Sequence, residues 1–284
     1  MNKEISDRIV FYAQAWRVTI ERTVATGTSV IVYGKYAGQP VVLKVVKEPG
    51  DEWRCGEIAA KFGGRGVVTV HEFAEGAAVF ERLDPGEPLA ALTRAGRDEE
   101  ATETLALLLG RMAPGDPPEW CPTVEQWGEA FVRYAASGDT RVPRELLEPA
   151  QRVYRALCAA QRVPALLHGD LHHYNVLSDR SRGWCAIDPK GVVGELEYEL
   201  GAALRNPLDQ PEVFASLDVV ERRLEQFGLG LGVDVGRARG WCFAQAVLAA
   251  IWTFEDGEPS EACEGVLRLA RTVFESKGFQ GDFS

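Results

Sequence analysis

The stretch LLHGDLHHYNVLSDRSRGWCAIDPKG, residues 166–191, decides how the rest of the chain is read. It holds three of the four histidines, and an apolar approach leads into His168-Gly169-Asp170. Asn175 follows, then a short apolar strand, the polar turn SDRSRG, and a second strand, WCAID, that ends on Asp188. Two chemistries compete for such a segment. A zinc site built from His168, His172 and His173 needs a fourth ligand and tetrahedral geometry, and neighbouring histidines on an irregular loop offer neither. The acidic and amide groups at the strand ends are then the working parts. His168 and His173 are expected to be supports.

Asp170, Asn175 and Asp188 suit phosphoryl transfer. Mg²⁺ prefers hard oxygen ligands, and Asn175 with Asp188 can supply them. Asp170 is the candidate to orient an attacking hydroxyl and accept its proton. The spacing H-x-D-x-x-x-x-N, with a second aspartate at the end of the next strand, is that of the protein-kinase catalytic loop and metal-binding segment.

The N-terminal part can be tested against that idea. WRVTIER alternates, SVIVYGKY and PVVLKVV follow after tight turns, and PGDEWRCGEIAAKFGG reads as one helix. VVTVHEF and AAVFERL return to strand, giving the order β-β-β-α-β-β. Lys44 lies within the apolar third strand, where a lysine that holds nucleotide phosphates belongs. Glu57 is preferred as its helix partner, with Glu52 as the rival. The turn ATGTS offers Gly27, Thr28 and Ser29 as a cover for phosphates. In VFERLDPG the backbone near Glu81 and Leu83 is placed to bond an adenine edge.

Beyond residue 83 the pattern is helical. Helices are expected over 99–112, from Thr123 (a capping box with Gln126), and around 143–160, 211–227, 234–254 and 260–276, with Gly228 as a stop. The expected fold class is α+β, bilobal, with a small β-rich lobe (1–83) and a larger, mainly helical lobe (84–284).

A hydrophobic content of 46% with 26% charged residues excludes wholesale disorder. The N-terminal stretch has scattered charges and no apolar core, and the longest apolar run (241–254) is too short to span a bilayer. Six scattered cysteines with no CxxC pair suit reduced thiols, so a cytoplasmic location and no membrane partner are expected. The net charge of −11 is unevenly spread. Residues 1–83 carry 11 basic and 10 acidic side chains; residues 84–284 carry 20 and 32. Such an acidic lobe excludes a phosphate-backbone partner such as nucleic acid and suits a cationic small molecule. Oligomeric state is not readable.

HGDLHHYNVL, AIDPKGVVGELEYELGAALRNP and LLLGRMAPGDPPEWCPTVEQWGEAF together resemble the aminoglycoside phosphotransferase family. Within it they look like the subgroup of streptomycin 6-phosphotransferases and hydroxyurea phosphotransferases. The resemblance implies a protein-kinase-like bilobal fold and an ATP- and Mg-dependent transfer to a hydroxyl of a small molecule. In that reading Asp170 is the catalytic base, Asn175 and Asp188 hold Mg²⁺, and Lys44 with Glu57 anchors phosphates. A guanidinium-bearing acceptor of the streptomycin type would meet acceptor-side residues, for which Lys190, Glu195, Glu199, Glu255, Asp256 and Glu258 are the candidates. Hydroxyurea or a small amino-alcohol is the alternative acceptor. A non-catalytic nucleotide-binding module is the alternative from another class, and the filled positions at Lys44, Asp170 and Asp188 speak against it.

Overall fold

The β-branched, alternating N-terminal segments form a five-stranded antiparallel sheet in the computed structural model, which describes residues 3–279. Its strands are β1 (Thr19–Ala25), β2 (Ser29–Tyr36), β3 (Gln39–Val46), β4 (Val70–Ala74) and β5 (Ala77–Glu81), in the order β1-β2-β3-β5-β4. Helix α1 (Lys3–Ala15) packs Ile5, Ile9 and Ala13 with Val41, Leu43 and Val45, which share one face of β3. Period-two alternation sends Lys44 to the opposite face. There α2 (Cys55–Phe62) inserts Ile58, Ala59 and Phe62 into a core continuous with that of the larger lobe.

That lobe contains α3 (Ala90–Arg94), α4 (Asp98–Arg111), α5 (Val124–Trp127), α6 (Glu129–Ser137), α7 (Arg144–Ala159), α8 (Leu196–Leu204), α9 (Pro211–Phe214), α10 (Leu217–Leu231), α11 (Val235–Glu255) and α12 (Glu264–Phe274), with a 3₁₀ turn before α12. α11 is its axis, with Trp241, Phe243, Val247, Leu248 and Ile251 fully enclosed. Two small antiparallel units complete the lobe. One is β6 (Pro85–Pro88), β8 (Val176–Asp179) and β9 (Gly183–Ala186); the other pairs β7 (Ala165–Leu167) with β10 (Val192–Gly194).

Several boundaries differ from the sequence reading. β1 starts at Thr19 because Trp16 stacks on Tyr12 at 4.7 Å and Arg17 takes a left-handed turn (φ 56°). The segment before α2 is a turn through Arg54 rather than helix. The expected helix from Thr123 begins with both bonds of its capping box formed, but breaks at Gly128 into α5 and α6. A side chain at 128 would collide with Tyr154. Gly228 does not stop α10, which continues to Leu231 and closes on left-handed Gly232 (φ 69°).

The lobes are joined by more than the connecting chain. Val68 donates to Ala186 O (2.9 Å), and Ala186 donates to Gly66 O (2.8 Å), so residues 66–68 lie along β9. Arg182, in the β8–β9 turn, donates to Gly64 O (2.5 Å) and pairs with Glu81.

Candidate active site

The loop between β7 and β8 carries Asp170, and buried side chains hold it. His168 is 1% exposed; its Nε2 lies 2.9 Å from Ile187 O and its Nδ1 accepts from the Asp170 N–H at 3.3 Å. That arrangement fits the Nε2–H tautomer. Burial lowers this imidazole to about 4, so it is uncharged at neutral pH. Gly169 adopts φ +82°, and a Cβ there would press on Trp127 at 3.1 Å. Glu199, from α8, accepts the Gly169 N–H (3.0 Å) and the Leu171 N–H (3.2 Å), tying both sides of Asp170 to the lobe core. Its burial raises the carboxyl to about 7, against the pull of those amides.

Two cations flank the Asp170 carboxylate, Lys190 Nζ at 3.3 Å and Arg205 Nη2 at 3.8 Å, and His172 Nε2 lies 3.7 Å from it. Burial alone would raise its pKa; the coulombic pull of His172, Lys190 and Arg205 outweighs this and holds it below the usual value. Asp170 is therefore an anion at neutral pH. Arg205 is fixed from behind. Arg223, 1% exposed and paired with Asp98 at 2.6 Å, donates to Ala203 O (3.1 Å) and Asn206 O (2.7 Å) around the end of α8.

Asn175 spends its Nδ2 on Asp170 O (2.9 Å), which orients its Oδ1, the atom a hard cation takes. Its backbone carbonyl accepts from Ile187 N–H (2.8 Å), which sets Asn175 beside Asp188. Asp188 sits in the left-handed region at φ 63°. It pairs with Lys44, which also meets Glu52 at 2.6 Å. Burial alone would lower the lysine pKa; Asp188, with Cys55 and Glu52, more than offsets this and raises it. A carboxylate–lysine–carboxylate chain thus crosses between the lobes.

The preferred pairing of Lys44 with Glu57 is corrected here. Because residues 49–54 turn instead of starting a helix, Glu52 comes under Lys44. Glu57, on α2, accepts the Trp120 indole N–H at 3.2 Å. The turn at Gly27 is reached through Glu52, which accepts from Thr28 Oγ1 at 3.0 Å. Ser29 is buried with its hydroxyl at 3.0 Å from that of Thr26, so it has no free donor for a ligand. Gly27 has open space where a Cβ would stand. Glu81 and Leu83 border a cavity of about 390 Å³ whose walls include Val42, Lys44, Phe80, Leu177, Ile187 and Asp188.

On the acceptor side, only Lys190 lies beside Asp170. Glu195 is 1% exposed and is consumed by Arg237 (2.5 Å) and the Trp241 indole (2.6 Å). Glu199 is consumed by the loop amides. Neither can reach a ligand, and both were placed on the acceptor side because helix burial is invisible in an acidic run such as GELEYEL. Glu255 faces Arg133 at 3.4 Å on the surface, and exposed Asp256 closes α11. His173 is fully buried behind the loop, near Arg223 and Asp98, and both its ring nitrogens lack a hydrogen-bond partner. It supports the loop by packing. Among the described residues, no group of three or more His, Cys, Asp or Glu is arranged to hold a metal. Arg205 was missed by the sequence reading. Its signal is a lone cation ending the apolar helix LGAAL.

The chain is similar to known proteins over most of its length. A streptomycin 3''-kinase from Klebsiella pneumoniae is 33% identical over 252 residues, covering 86% of this chain and 91% of that one. A hydroxyurea phosphotransferase from Kitasatospora aureofaciens is 31% identical over 266 residues, covering 88% and 74%. Among solved structures, a thermostable aminoglycoside phosphotransferase APH(4)-Ia mutant in a ternary complex with ADP and hygromycin B superposes with a TM-score of 0.61 at 16% identity, covering 94% of this chain and 98% of that one. The protein-kinase-like fold follows. A model of the aminoglycoside/hydroxyurea antibiotic resistance kinases matches residues 15–257, and the chain therefore belongs to that family of small-molecule phosphotransferases.

Proposed function

We propose that the protein transfers the γ-phosphoryl group of ATP, with Mg²⁺, to a hydroxyl of a streptomycin-type aminoglycoside in the cytoplasm. The observation that carries this reading is the position of Asp170, flanked by Lys190 and Arg205 and one short strand pair away from the Lys44–Asp188 link. Residues 1–83 and 84–284 act as the two lobes, with the nucleotide in the cavity between Phe80–Leu83 and Ile187–Asp188. The chemistry of the donors fits a bound Mg²⁺–nucleotide: Asp188 and Asn175 offer hard oxygens, and Lys44 is a buried cation held ready for phosphate. When bound, Mg²⁺ would neutralise charge on the transferred group.

The chain's own residues supply the rest. Asp170 orients the acceptor hydroxyl and takes its proton as the new O–P bond forms and the bond to the ADP oxygen breaks. Lys190 and Arg205, both held at Asp170, would stabilise the negative charge on the phosphoryl oxygens during transfer. His168 and Glu199 keep the loop in place without touching substrate.

The test is ADP release with ATP and Mg²⁺ in the presence of streptomycin, hydroxyurea or no acceptor, for the wild type and Asp170→Asn. Stimulation by streptomycin, lost in the variant, is expected. Stimulation by hydroxyurea alone would move the assignment to the neutral acceptor, and equal rates for the variant would refute the role of Asp170.

A further inference from the structure

A second cavity, separate from the one bordered by Glu81 and Leu83, lies on the Lys190 side of Asp170. It measures about 310 Å³ and is bordered by the turn Pro49–Arg54 of the small lobe, by Trp120, Pro122 and Trp127 of the large lobe, and by Lys190-Gly191. Lys190 belongs to its wall and also stands 3.3 Å from Asp170, so the cavity adjoins the reacting carboxylate. Trp127 is its other link, since its ring packs on Gly169, the residue before Asp170.

We infer that this tryptophan-lined cavity binds a guanidinium-bearing ring of the acceptor, and that Glu57 is the residue that positions Trp120 in it. The inference rests on the phosphotransferase reading above and names where its substrate sits. Aromatic faces attract planar cations at centroid distances within about 6 Å. The protein already uses its own guanidinium groups in this way: Arg54 lies 4.8 Å over Trp120, and Arg8 lies 4.8 Å over Trp53. Charge in the cavity points the same way. Lys190 is balanced by Asp170 and Arg54 by Glu75. Asp51 is exposed and, among the described residues, makes no ion pair within 4.0 Å; its charge acts on Lys190, so a cationic guest would share this carboxylate with the lysine.

The volume is at the low end of ligand pockets, which run from about 300 to 1,000 Å³, and fits one substituted ring. The rest of a larger acceptor lies outside. Trp120 is itself on the irregular Pro-rich connection between α4 and α5, and a loop tryptophan needs a fixed point to present a binding face. Glu57 gives it one through the indole N–H, from a helix of the opposite lobe. This explains why a glutamate on α2 faces away from Lys44.

The experiment compares steady-state KM for streptomycin and for ATP in Trp53→Leu, Trp120→Leu, Asp51→Asn, Glu57→Ala and Glu57→Gln, with calorimetric streptomycin binding to each. The tryptophan and Asp51 variants are expected to raise the streptomycin KM at least tenfold and leave the ATP KM within twofold. Glu57→Ala is expected to raise the streptomycin KM several-fold at unchanged kcat. Glu57→Gln, whose amide oxygen still accepts from the indole, is expected to restore it. Unchanged streptomycin KM in an active Trp120→Leu enzyme overturns the site while leaving the phosphotransferase reading intact. Streptomycin that binds the wild type but not Trp53→Leu, without turnover in either, upholds the site and overturns the acceptor assignment. Streptomycin that neither binds nor reacts overturns both.

Discussion

Replacing Glu199 by glutamine tests whether a buried carboxylate really holds the Asp170 loop. The wild-type side chain is 3% exposed, accepts from Gly169 and Leu171, and has its pKa raised by burial to about 7. Against an unfolded value near 4.5, the folded state binds the extra proton more tightly between these two pH values. Stability from this group is therefore complete below pH 4.5 and is lost as pH rises through 7. At about 1.4 kcal/mol per pH unit, the loss amounts to about 3 kcal/mol. Glu199→Gln has no proton to lose, so the stability difference between wild type and variant should fall by that amount between pH 4.5 and 8. Glutamine can still accept through Oε1, but its NH₂ then faces the Gly169 N–H, so a pH-independent penalty of about 1–3 kcal/mol is added. Urea unfolding of both proteins across this range measures both quantities. Because all other titrations are common to the two chains, they cancel in the difference. Parallel stability curves would show that Glu199 does not titrate in this window, and the burial argument would fail.

Other outcomes follow from the same geometry. His168 has its pKa lowered to about 4, so it contributes stability that is present above pH 6.5 and is lost as pH falls toward 4; in His168→Gln the corresponding slope of about 3 kcal/mol disappears from urea unfolding curves. Glu52→Gln should raise the ATP KM about tenfold or more, whereas Glu57→Gln should leave it within twofold, and the reverse order would restore the Glu57 pairing. Gly169→Ala should lower the unfolding free energy by about 1–3 kcal/mol, since it combines a left-handed backbone with a contact on Trp127; a thermal midpoint equal to wild type would contradict this.

Spacing alone singled out Lys44, Asp170, Asn175 and Asp188 as site candidates, and the structure joins Lys44 to Asp188 and Asn175 to the Asp170 carbonyl. The β-β-β-α-β-β order and the helical remainder were legible for the same reason. What failed depended on where a helix begins or which face it buries. The PGDEW segment has good helix-start residues, yet it turns, and this single difference exchanged Glu52 for Glu57. Glu195 and Glu199 look like solvent-facing charges in a one-dimensional string. Their partners Arg237, Trp241 and the Gly169–Leu171 amides lie 28–46 residues away and could not be paired from spacing. Among the described residues no helix is long and apolar enough to cross a bilayer.

Asp188 meets two requirements that usually fall to different residues. Its carboxylate engages Lys44, and its backbone sits at φ 63°, a region that aspartate and asparagine tolerate better than most non-glycine residues. Natural variation at this position should therefore sort by which requirement is given up. Asparagine keeps the turn and removes the charge. Glycine relaxes the turn by about 1 kcal/mol and removes the oxygen as well. Alanine loses both, so its phenotype mixes a folding defect with a chemical one. A laboratory survey that scores abundance and phosphotransfer separately would see position 188 as a place where the most soluble variant is an inactive one.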